Sequence, residues 1–164
     1  MEIKSNFKNS QGLVVEKIYY EDKDPADDLE GKILEVIHAF CFHGDKMVLV
    51  NHPKAGWMPP GGGIEAGETY EEATTREVKE ETNMKVLFQE LIGFQDIFIP
   101  EKTVRQTRSI CIVEPYGEFI ADPDGEIMEI MLIDPKDYKK YFDWGEIGDR
   151  IMQRALELKE KYKS

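Results

Sequence analysis

Residues 62–84 read GGIEAGETYEEATTREVKEETNM, a glycine-rich loop running into one helix, and the fold is decided by how this stretch is read. Thr69 followed by Glu72 matches a capping box, which sets the helix start at Thr69, and Asn83 is its natural stop. Along that helix Glu77, Glu80 and Glu81 stand at i, i+3 and i+4 and share an arc of about 100°. Like charges so spaced destabilise an isolated helix by about 0.2–0.5 kcal/mol per pair, so the cluster makes most sense beside a cation. Carboxylate oxygens suit hard ions such as Mg²⁺ or Mn²⁺, which also bind the phosphates of a substrate. The pattern therefore points to chemistry on phosphate esters. A solvated acidic face is the plain alternative for any one of these glutamates, because the chain carries 33 Asp and Glu in 164 residues.

The same stretch resembles the signature of the Nudix hydrolase family: Gly, five residues, Glu, seven residues, then Arg-Glu-apolar-x-Glu-Glu-x-Gly-apolar. Gly62, Glu68, Arg76, Glu77, Val78, Glu80, Glu81 and Met84 match at the required spacing. The departure is Asn83 in place of the signature glycine. That position lies just past the helix end, where a left-handed backbone is needed, and Asn tolerates it best after Gly. The resemblance implies an α/β protein, a Nudix-type α/β/α sandwich with a mixed β-sheet. It also implies a pyrophosphohydrolase acting on acid anhydrides in phosphorus-containing compounds, with Mg²⁺ or Mn²⁺ as cofactor.

Composition is consistent with that expectation. A chain of 164 residues reads as a single Nudix hydrolase domain, with an N-terminal strand and acidic loop in 1–31 and the loop-helix in 62–84. Formal charge is −12, which repels polyanions, so no nucleic acid and no membrane partner is expected; a small nucleotide-type substrate is. No apolar signal-type stretch or membrane span is visible, and Cys41 and Cys111 sit in apolar runs without ligand spacing. A cytoplasmic location follows as an expectation, and a homodimer is left open.

The remaining pattern predicts strands at Leu13–Tyr20, Ile33–Phe42, Lys46–Asn51, Lys85–Ile99 with Gly93 as a bulge, Val104–Glu114 and Glu126–Ile133. A short helix over Asp134–Phe142 and a longer amphipathic one over Ile147–Tyr162 complete the order, with apolar positions at Ile147, Ile151, Ala155, Leu158 and Tyr162.

The resemblance also implies roles. Glu77, Glu80 and Glu81 hold the ions; Arg76 pairs with a glutamate of the motif and orients it; Glu68 is an orienting partner with the reach for a second metal. Gly61, Gly62 and Gly63 let backbone groups approach the metal and phosphates unobstructed. The general base is either a motif glutamate or a carboxylate of a later loop, where Asp124, Glu126 and Glu129 are candidates by chain position. Lys102, Arg105 and Arg108 are placed to meet phosphate or ribose, with Arg105 and Arg108 the substrate-binding candidates. Phe94, Phe98 and Tyr116 are candidates for stacking a base, and Trp57 stands equally for a pocket wall or core.

Gly61-x-Gly63-x-x-Ala66 formally matches a dinucleotide fingerprint, but Pro59-Pro60 breaks the strand that should lead into it, and no GxxxxGK[ST] is present. Nucleoside triphosphate cleavage is the leading activity. ADP-ribose or nucleotide-sugar cleavage is the alternative, suggested by Pro100, and a catalytically inert binding module is the rival from another class.

Overall fold

The computed structural model describes residues 1–121 and 125–162. Strands β1 (Glu2–Lys8) and β2 (Val14–Tyr20) form a hairpin, followed by β3 (Lys32–His43), β4 (Lys46–His52), β5 (Gly56–Met58) and β6 (Gly61–Gly63). Helix α1 (Tyr70–Thr82) separates these from β7 (Met84–Ile99), β8 (Lys102–Pro115) and β9 (Ile130–Ile133). A 3₁₀ turn over Pro135–Lys140 and helix α2 (Gly145–Lys159) follow.

The strands make one mixed sheet in the order β1-β2-β7-β8-β3-β4-β5, with β6 on β3 and β9 on β4. The β3–β8 pair is parallel, Ile37 facing Thr107 and Cys41 facing Cys111. Side chains alternate along β8, so its residues divide between two cores. Ile110 joins Tyr19, Phe40, Phe42, Met47 and Leu49 beneath Ile147, Ile151, Met152, Ala155 and Leu158 of α2. Cys111 and Val113 join Ala39, Cys41 and Val48 beneath Val78 of α1. The helices thus cover opposite faces, the α/β arrangement expected.

α1 is anchored more by its ends than by apolar area. It buries only Ala73, Thr74, Val78 and Thr82. The capping box is complete: the Glu72 N–H donates to Thr69 Oγ1 and the Thr69 N–H to Glu72 Oε1. Asn83 closes the far end at φ 56°, ψ 38°, left-handed as its place in the motif requires, and its Nδ2 donates to Glu118 O at 2.9 Å.

Several boundaries differ from the pattern. Residues 1–20 hold two strands rather than one, because β1 is an edge strand that sends only Ile3 against the core. The glycine loop is itself paired: Gly61–Gly63 run antiparallel to Val36–His38. The strand expected over Glu126–Ile133 is confined to Ile130–Ile133, opposite Met47–Val50, which leaves Glu126 and Glu129 outside the ladder. The longer helix ends at Lys159, with a 3₁₀ turn over Glu160–Tyr162. At Gly93 the register does shift, between Leu91 and Gly93. An added Cβ there would stand 2.5 Å from the Tyr19 hydroxyl, so glycine is needed for close approach of β2.

Two buried ion-pair groups fasten the N-terminal region. Glu21, 3% exposed, accepts from Arg150 at 2.6 and 3.0 Å. Asp96, fully buried, accepts from Arg105 at 2.8 and 3.2 Å and from Lys32 at 2.9 Å. Among the described residues no helix is long and apolar enough to cross a membrane.

Candidate active site

The pairing of β6 with β3 fixes the glycine strand against the glutamate-bearing side of α1. The Gly61 N–H donates to Glu81 Oε1 at 2.9 Å. A Cβ on Gly62 would lie 2.5 Å from the Glu77 carboxyl, and one on Gly61 would meet the Ile37 carbonyl and the His38 ring. Side chains are excluded at both positions, at Gly62 by the Glu77 carboxyl and at Gly61 by strand β3.

Arg76 is the hub. Its Nε and Nη2 donate to Glu68 Oε2 and Oε1 at 2.7 and 2.9 Å, a planar two-bond fork. Nη2 also donates to Gly63 O at 2.9 Å, and Nη1 to Glu77 Oε1 at 2.9 Å and Glu80 Oε2 at 3.3 Å. One guanidinium therefore ties the loop to three carboxylates.

The charges respond to these surroundings. Arg76 holds the Glu68 carboxyl down to about 2, assisted by the Glu65 N–H. Burial raises Glu77, against the pull of Arg76. Burial pushes Glu81 up to about 7; the Gly61 N–H opposes the rise, and the charges of Glu77, Glu126 and Glu80 add to it. A buried acid so raised is poorly compensated by the chain alone. As they stand, no three His, Cys, Asp or Glu side chains among the described residues are grouped to hold a metal ion. Arg76 occupies Glu77 and Glu80, while Glu81 faces Gly61.

The later loop contributes Glu126 and Glu129; Asp124 lies outside the described residues. Both are held from the end of β4. Asn51 Nδ2 donates to Glu129 Oε1 at 2.7 Å, and His52 Nε2 stands 3.0 Å from Glu126 Oε2. Only Glu126 is among the charges that raise Glu81. Motif spacing does not single out His52 and Asn51, because their partners lie far along the chain.

The two arginines differ. Arg105 is committed within the chain, to Asp96 and to the carbonyls of Pro25 and Asp27 at 2.8 and 2.5 Å. A substrate would meet it only in place of those partners. Arg108, 3% exposed, donates to Thr107 O at 3.0 Å and Gln106 Oε1 at 2.9 Å. Among the described residues no carboxylate pairs with it, and its Nε is buried without a partner. Burial draws it down to about 9, so it stays charged at neutral pH. Trp144 lies over its guanidinium at 5.2 Å and meets the His38 ring at 5.1 Å. His38 Nδ1 is likewise buried and unpartnered, directly behind Gly61.

Of the other candidates, Lys102 pairs with Glu35 at 3.2 Å, and Phe94 is buried under Arg105 at 4.3 Å. Trp57 packs partly buried against the α2-side core, and Tyr116 is exposed. Pro100 falls in the β7–β8 turn.

Comparison with known proteins bears on the family and the fold. A family model described as "NUDIX domain" matches residues 33–155. The chain is 37% identical over 68 residues to a Bacillus subtilis (strain 168) protein named "Putative 8-oxo-dGTP diphosphatase YtkD", covering 42% of this chain and 43% of that one. It is 38% identical over 50 residues to "Uncharacterized Nudix hydrolase YvcI" of the same organism, covering 30% of this chain and 32% of that one. The chain thus spans less than half the length of the curated relatives it matches. Among solved structures, a mutant of the Bacillus subtilis pyrophosphohydrolase BsRppH superposes with a TM-score of 0.72 at 22% identity, covering 93% of this chain and 96% of that one. A MutT protein from Bacillus halodurans superposes with a TM-score of 0.56 at 26% identity, covering 73% and 80%.

Proposed function

We propose that this chain, which belongs to the Nudix hydrolase family, cleaves the diphosphate linkage of a small nucleotide, a nucleoside triphosphate first among them, by attack of water at phosphorus. The observation that carries this reading is the Arg76-anchored set of glutamates facing the Gly61–Gly63 strand, with Glu81 raised to about 7.

The donors fit a hard divalent cation in chemistry: oxygen ligands only, on one helix face, with a buried acid in need of positive charge. Glu77, Glu80 and Glu81 would hold Mg²⁺ or Mn²⁺, with Glu68 engaged on Arg76. When bound, the ion neutralises the phosphates and acidifies a water. The chain does the rest. Arg76 fixes Glu68 and Glu77, and the bare glycine strand lets phosphate oxygens come close. Glu126 takes a proton from the attacking water as its oxygen bonds to phosphorus. The bond from that phosphorus to the bridging oxygen breaks, and its electron pair leaves on the departing phosphate.

Trp144, packed against Arg108 and His38 beside Gly61, offers a ring face suited to a nucleobase. The name borne by YtkD makes an oxidised guanine triphosphate the first substrate to try.

The test is product formation across nucleoside triphosphates, 8-oxo-dGTP, ADP-ribose, nucleotide sugars and dinucleoside polyphosphates, with Mg²⁺ and with Mn²⁺, using Glu80→Gln as control. Turnover that disappears in the variant supports the reading. Silence on every member with either ion overturns it in favour of a binding module.

A further inference from the structure

At the end of β4, the backbone N–H groups of Lys54 and Ala55 both point at His52 Nδ1, at 3.2 and 3.3 Å. A nitrogen that receives two N–H donors must present its lone pair, so the ring proton sits on Nε2. That nitrogen lies 3.0 Å from Glu126 Oε2. The imidazole is thus locked by its own turn into the tautomer that donates to a carboxylate.

The geometry matters because Glu126 has little else to hold it. Its side chain is 66% exposed, on the segment that precedes β9 rather than in the ladder. An exposed carboxylate samples several rotamers, and a proton acceptor that wanders loses much of its value. The neighbouring Asn51 treats Glu129 in the same way, donating from Nδ2 at 2.7 Å while its N–H bonds Glu129 O at 3.1 Å. Two consecutive residues of β4 therefore secure both ends of the acidic segment.

From this we infer that His52 is a positioning residue: its Nε2–H holds in place the Glu126 carboxylate, the group that takes the proton of the attacking water in the hydrolase reading. The inference rests on the hydrolase reading for its consequence in rate, but not for its geometry.

Two substitutions separate positioning from turn-capping. His52→Asn keeps a short acceptor for the Lys54 and Ala55 N–H groups and cannot reach Glu126. His52→Gln keeps a terminal N–H donor near the position of Nε2. With a substrate that the wild type turns over, His52→Asn lowers kcat by about 10- to 100-fold with KM and melting temperature little changed. His52→Gln recovers a large part of that loss. Equal activity of His52→Asn and wild type, or an equal loss in both variants that tracks melting temperature, overturns the proposal. The long-range ¹⁵N–¹H spectrum of the wild-type imidazole tests the geometry without any substrate. A protonated Nε2 with a bare Nδ1 is expected, and the opposite tautomer refutes it. A wild type silent on every substrate, with the expected tautomer present, refutes the hydrolase reading instead.

Discussion

Arg76 and Glu68 meet fork to fork, with Nε–Oε2 at 2.7 Å and Nη2–Oε1 at 2.9 Å, eight residues apart and from opposite sides of the helix cap. Lysine keeps the charge but not the planar pair of donors. Arg76→Lys is expected to lower kcat by about 10- to 100-fold, as loss of an orienting partner does. Steady-state kinetics beside circular dichroism check it; unchanged kcat would show that the fork is ornamental to the reaction.

Gly61 and Gly62 adjoin each other yet should fail differently. At Gly62 the new methyl meets the flexible end of Glu77, so Gly62→Ala displaces that carboxylate and lowers kcat/KM by about 100-fold while leaving the fold intact. At Gly61 it meets the Ile37 backbone, so Gly61→Ala costs about 1–3 kcal/mol of stability. Urea denaturation and kinetics on both variants separate the two outcomes.

Asp96 predicts an acid-side stability loss. Burial raises its pKa, but hydrogen bonds and charge from Arg105 and Lys32 outweigh that and hold it below 3.8. Its contribution is therefore full above the unfolded value and fades as pH falls through the lower folded value. Asp96→Asn should cost about 3–5 kcal/mol at pH 7, because it strands the buried Arg105 and takes a partner from the half-buried Lys32, and the difference from wild type should shrink below pH 4. Urea midpoints at pH 7 and pH 3 measure it.

Divalent ions should raise the melting temperature. Saturation at 100 times Kd adds about 2.7 kcal/mol of stability. Mn²⁺ or Mg²⁺ should therefore shift the wild type upward in differential scanning fluorimetry, with EDTA reversing the shift. Glu81→Gln should show little of it. An equal shift in that variant would move the ion elsewhere.

How far the sequence carries can be judged from particular residues. α1 was legible to its caps because Thr69, Glu72 and Asn83 act on neighbouring backbone, a local matter. β6 was not, since three glycines show no strand preference and their pairing is with residues 36–38. β1 carries no strand signal because an exposed edge strand needs no apolar run. Along the sequence Arg105 shows only its charge, whereas its partner Asp96 and the 25–28 carbonyls come beside it only in three dimensions. The orientation of Glu126 by His52 is of the same kind.

The seam where β2 lies along β7 has a practical consequence for anyone trimming this protein. The family match starts at residue 33, yet Tyr19 is fully enclosed in the main core, and Gly93 is bare so that Tyr19 and Tyr20 can fit against it. A fragment cut at that boundary would lose a core aromatic and strip Phe94–Phe98 of its partner strand. It would also leave Arg105 without the carbonyls it holds. Such a fragment is a recipe for inclusion bodies, since an unpaired apolar edge recruits copies of itself. The unit that folds is wider than the motif by which its kin are recognised.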